Sequence, residues 1–98
     1  MEREAALAVL REHRALLESR HVVRAALFGS VARGDAGPDS DLDVMIEFDP
    51  EARVTIYDYV ATRRLIAELI GGRVDVVERG GLNRHIRAEV EADAVYAF

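Results

Sequence analysis

Three aspartates and a Gly-Ser pair are the residues of this 98-residue chain whose types and spacing could do chemistry. Gly29-Ser30 is followed after ten residues by Asp41-Leu42-Asp43, within LFGSVARGDAGPDSDLDVMIEF at 27–48, and Asp75 stands in RVDVVE at 73–78. Residues two apart on a strand point to one face, so Asp41 and Asp43 would project together. Clustered carboxylates repel and resist burial. A hard cation such as Mg²⁺ removes that conflict, taking one or two carboxylates plus substrate phosphate oxygens. Asp75, on a neighbouring strand, would join the cluster, where it could ligate a second metal and attract the proton of an attacking hydroxyl. Gly29 lets the backbone approach a ligand closely, and N–H groups at a helix start favour anions. The Ser30 hydroxyl can add a donor to a terminal phosphate. Arg33 suits phosphate geometry and equally suits a solvated loop. Together these residues point to metal-assisted phosphoryl or nucleotidyl transfer, driven by positioning and by neutralising charge on the phosphoryl oxygens.

Each piece alone has a blander explanation. An Asp-x-Asp is more often an exposed edge or a pair of turn charges, a Gly-Ser is more often a plain turn, and Asp75 alone reads as a strand-end residue. The combination is rarer, arising by chance in on the order of one in a thousand chains of this size at average residue usage. His13, His21 and His85 share no metal-ligand spacing. Arg84, His85 and Arg87 read as a solvated helix face, and Tyr57, Tyr59 and Tyr96 as packing residues.

The elements that must position these side chains follow from periodicity. Ala6, Val9, Leu10, His13, Leu16 and Leu17 recur at three- and four-residue spacing, predicting a helix over 2–19. Val22 to Phe28 is an apolar run that stops at Gly29, a buried strand; 30–34 would make one helical turn, and GDAGPDS at 34–40 a loop. Leu42 to Phe48 alternates and predicts a second strand. Thr55 with Asp58 three residues on has the pattern of a helix N-cap with an acidic N3 residue. The helix would carry a stripe of Ile56, Tyr59, Val60, Ile66 and Ile70, and Gly71-Gly72 would end it. A third strand is expected over 73–77, a last helix over 82–92, and a short edge strand within 94–98. Alternating helices and strands with short connections imply an α/β domain of two layers, a small mixed sheet of three main strands and a possible short fourth packed with helices.

Ninety-eight residues, half of them apolar, fit a single domain over 1–98. An enzyme of this size must find part of its substrate site outside its own chain. Eighteen acidic against 13 basic residues, a net charge of −5, argue against a protein that coats a phosphate backbone. The absence of cysteine excludes disulfides and thiolate metal sites and fits a cytoplasmic location. MEREAALAVLREHR is charged throughout and is not expected to be a secretory signal, and no apolar stretch approaches the roughly 20 residues that span a bilayer.

The Gly-Ser and Asp-x-Asp signature resembles that of the DNA-polymerase-β-like nucleotidyltransferases. Phe28-Gly29-Ser30, Ala32-Arg33-Gly34, Ser40-Asp41-Leu42-Asp43-Val44 and Val74-Asp75-Val76-Val77 stand where that motif has its counterparts. The chain is most similar to the minimal nucleotidyltransferase (MNT) domains, many of them antitoxins encoded beside HEPN-domain toxins. The resemblance implies a nucleotidyltransferase fold, phosphate contacts at Gly29 and Ser30, Mg²⁺ on Asp41 and Asp43, and Asp75 completing the carboxylate triad. It also implies ATP as substrate and AMP transfer to a tyrosine of a HEPN partner; the acidic balance and the lack of a long apolar stretch predict no direct nucleic-acid or membrane partner. The alternative is a binding module that senses nucleotide or neutralises its partner by occlusion.

Overall fold

Two seven-residue strands, β1 (Val22–Phe28) and β2 (Leu42–Phe48), run antiparallel at the centre of a four-stranded sheet. The computed structural model describes residues 2–98. Strand β3 (Val74–Glu78) pairs with β2 in parallel, and β4 (Val95–Tyr96) pairs with β1 antiparallel, giving the order β3-β2-β1-β4. The sheet is thus mixed, with three main strands and a two-residue fourth, as the sequence pattern implies. Crossing between parallel strands requires a long connection, and here α4 (Ile56–Ile70) supplies it.

One face of the sheet holds most of the core. Leu27, Val44, Ile46 and Val76 project there against Leu7 and Leu10 of α1 (Arg3–Glu12), Leu17 of α2 (Arg14–Ser19) and Ile66 of α4. The opposite face is thinner: Ala26 and Met45 pack on Val90 of α5 (Arg84–Asp93). A bulge between Val22 and Arg24 turns Val23 and Arg24 both to solvent before the strand resumes its alternation.

The structure corrects the sequence expectations at several boundaries. The single helix expected over 2–19 is interrupted at His13, whose Nδ1 lies 2.9 Å from the Val9 carbonyl oxygen and whose backbone has left helical geometry. Leu16 is consequently exposed while Leu17 is buried. In α4 the buried positions are Thr62, Ile66 and Ile70, with Tyr59 half-buried; Ile56 and Val60 of the expected stripe face solvent. Thr62 tolerates burial because its hydroxyl donates to the Asp58 carbonyl at 2.8 Å. The third strand starts one residue later than expected, and a 3₁₀ turn over Arg79–Gly81 delays the last helix to Arg84, where Asn83 caps it by accepting from Ile86 N. Among the described residues no helix is long and apolar enough to cross a membrane.

Candidate active site

The end of β1 is built against the start of β2. Phe28 and Asp43 are register partners, and the next residue, Gly29, opens α3 (Gly29–Arg33) with φ +73°. That left-handed conformation suits glycine, and there is a second reason for the missing side chain. A Cβ on Gly29 would overlap the Asp43 carboxylate, with Cγ at 3.2 Å. The Gly-Ser turn and the Asp-x-Asp strand are therefore one assembly, the turn's backbone lying directly on the carboxylate. Ser30 is half-buried at the second position of α3, and its carbonyl accepts the Asp35 N–H at 3.0 Å, folding the following loop back on the turn.

Parallel pairing places Asp43 beside Asp75 in direct register, on strands separated by about 4.8 Å. Both lie on the α5 face, Asp43 half-buried and Asp75 exposed. Burial raises the Asp43 carboxyl above the ordinary carboxylate range, the charges of Asp75 and then Asp41 raise it further, and Arg33 opposes them. The three aspartates thus share one electrostatic site. Asp41, one residue before β2, leans outward: its Oδ1 is 3.4 Å from Arg73 Nε, in an ion pair open to solvent. Among the described residues no three His, Cys, Asp or Glu side chains already converge on a single metal position. A half-buried carboxylate facing a second carboxylate nonetheless fits a hard divalent cation, which takes few protein oxygens and completes its shell with substrate phosphate and water.

Arg33 is held on the same side. Its guanidinium donates to Asp93 of α5 at 2.7 Å and to Asp35 at 3.2 Å, and these two partners raise its pKa in that order. Asp93, Asp35 and Arg73 escaped the reading of the sequence. Arg73 was detectable in principle, because registering β3 against β2 puts it next to Asp41. Asp93 was not: it arrives from 60 residues away through the packing of α5.

The sequence profile of the nucleotidyltransferase domain matches residues 10–97, nearly the whole chain. The chain belongs to this nucleotidyltransferase family. It is 31% identical over 90 residues to a Methanocaldococcus jannaschii protein provisionally named a protein adenylyltransferase, with 90% of each chain covered. Against the protein adenylyltransferase MntA of Thermococcus cleftensis the identity is 33% over 89 residues, covering 90% of this chain and 88% of the other. A solved structure provisionally described as a minimal nucleotidyltransferase superposes with a TM-score of 0.78 at 36% identity, covering 97% of this chain and 95% of that one. The fold alone is shared with a chain in the solved structure of a tri-AMPylated Shewanella oneidensis HEPN toxin in complex with MNT antitoxin, at a TM-score of 0.67 and 14% identity, with 95% of this chain and 71% of that one covered.

Proposed function

We propose that this nucleotidyltransferase domain moves AMP from ATP onto a tyrosine hydroxyl of a HEPN-domain toxin in the cytoplasm, and so acts as its antitoxin. The observation that carries the reading is the in-register Asp43–Asp75 pair, with Asp43 seated on Gly29 and its carboxyl raised by burial and then by its neighbours' charges. Support for the acceptor comes from relatives named protein adenylyltransferases. Support for the partner comes from a shared fold with the MNT antitoxin of an AMPylated HEPN complex.

In this mechanism the Gly29-Ser30 turn receives the triphosphate, its backbone N–H groups and the Ser30 hydroxyl facing the phosphate oxygens. Arg33, at the end of the same short helix, steadies the triphosphate from the α5 side. Asp41, Asp43 and Asp75 would hold Mg²⁺, which when bound supplies positive charge against the α-phosphate and the departing pyrophosphate. Asp75, the more exposed of the register pair, takes the proton of the acceptor hydroxyl. The acceptor oxygen then forms a bond to the α-phosphorus as the bond to the pyrophosphate oxygen breaks, giving an AMP ester and pyrophosphate. Asp41 must leave Arg73 to take part, which costs little because exposed ion pairs are worth about 1 kcal/mol or less.

Intact-mass spectrometry of the protein encoded beside this chain, after incubation with the chain, ATP and Mg²⁺, tests the proposal. Added AMP that disappears with Asp43→Asn is the expected result. An unmodified partner in a tight complex would instead identify an antitoxin that works by occlusion.

A further inference from the structure

At the end of β2 away from the aspartates, the chain folds around a cleft of about 840 Å³. The β2–α4 connection and the turn after β3 form its walls, and Phe48, Val54, Ile56, Tyr59, Val77 and Leu82 give it an apolar lining. Ile56 stands at the rim 66% exposed, and the adjoining Tyr57 is 82% exposed. Apolar side chains left open beside a concave apolar surface mark a binding site.

The charge of the rim identifies what fits. Glu47, Asp49 and Glu78 line the cleft with a single cation, Arg79. That guanidinium is already committed, 2.6 Å from Glu91 and 3.7 Å from Glu47. Asp49 and Glu78 take part in no ion pair among the described residues. The cleft thus presents an apolar floor inside a net negative border. Phe48 lies five residues along β2 from Asp43, about 16 Å at the usual strand rise of about 3.3 Å per residue, so one folded partner can reach both places.

We infer that this cleft is a docking site for the acceptor protein, receiving a segment that presents an apolar side chain flanked by Lys or Arg. The inference rests on the proposed protein acceptor and adds to it where specificity comes from. Binding there enters KM for the acceptor and leaves the chemical step alone.

The test uses Ile56→Lys and Glu78→Lys, each measured for calorimetric binding to the candidate acceptor, the protein encoded beside this chain, and for steady-state transfer. Melting temperature, with and without ATP and Mg²⁺, reports whether the fold and nucleotide site are intact. The expected result is a Kd and an acceptor KM raised at least about tenfold, with kcat at saturating acceptor and the nucleotide-induced melting shift retained. Glu78→Lys should also flatten the salt dependence of binding. Unchanged Kd in both variants overturns the docking site. Loss of binding in the variants, with no transfer by the wild type, would sink the transferase reading while keeping the docking site. Failure of the wild type to bind the candidate acceptor at all would overturn both.

Discussion

Asp43 is held ionised at a cost in stability. Its folded-state pKa is raised by burial and by Asp75 and Asp41, so the native protein binds this proton more tightly than the unfolded chain does. Stability therefore falls as pH rises from the ordinary carboxylate range through the raised value, and the penalty persists at neutral pH. Asp43→Asn removes the charge and keeps the shape. We expect the variant to melt higher than the wild type at pH 7 but not at pH 3, while AMP transfer drops by about 100-fold or more. Equal melting offsets at both pH values would show that packing, not charge, sets the difference. Gly29 is the counterpart constraint, combining φ +73° with contact against the Asp43 carboxylate. Gly29→Ala should cost about 1–3 kcal/mol in denaturant unfolding and lose transfer as well, since Asp43 must move to admit the methyl group. A variant of wild-type stability would mean that the turn can relax away from β2.

The entry to α4 is set by a local device. Thr55 Oγ1 accepts from Asp58 N at 3.2 Å, and an Asp58 carboxylate oxygen accepts from Thr55 N at 2.9 Å, a reciprocal capping box. These bonds depress the Asp58 pKa, so the cap contributes above the ordinary carboxylate range and is lost as pH falls through the lowered value. Thr55→Ala should cost about 1 kcal/mol, lowering Tm by about 4–8 °C for a domain of this size, with kcat at saturating acceptor unchanged in the folded protein. Thermal melts beside a transfer assay check both halves. Devices of this kind span three or four residues, which is why the α4 start, the β1 and β2 limits and the short α3 turn were legible in the sequence. The meeting of Gly29 with Asp43 was legible for the same reason, the two lying within 15 consecutive residues. What was not legible depends on contacts distant in the chain. Periodicity over 2–19 cannot register a His13 ring that turns back on Val9. The apolar Ile56 and Val60 read as core until the sheet shows that α4 buries Thr62 instead. Asp93 reaches Arg33, and the docking cleft closes, only when separate connections meet in space.

The molecule as a whole is asymmetric about its sheet. Fully buried Leu7, Leu10, Leu17 and Ile66 anchor the helices on one face. On the face that carries Asp43 and Asp75, α5 is anchored through a small cluster centred on Ala26, Met45 and Val90. Two ion pairs near the end of α5 add to that hold, Arg33–Asp93 at 2.7 Å and Arg79–Glu91 at 2.6 Å. Their side chains are about a third or more exposed, so salt screens them. With little apolar area to lose, α5 should detach at a lower free energy than global unfolding, whereas α4 should open only with the whole domain. Native-state hydrogen exchange should therefore find α5 amides less protected than those of α4, and added salt should widen the gap. Ile66→Ala should lower protection throughout, at about 2–5 kcal/mol for a large aliphatic truncation, while Val90→Ala should act chiefly on α5. Equal protection of the two helices would make the domain one cooperative unit. If α5 does open separately, Arg33 loses Asp93 when it does, and the side of the site proposed to receive the triphosphate becomes mobile while the carboxylates on β2 and β3 stay fixed.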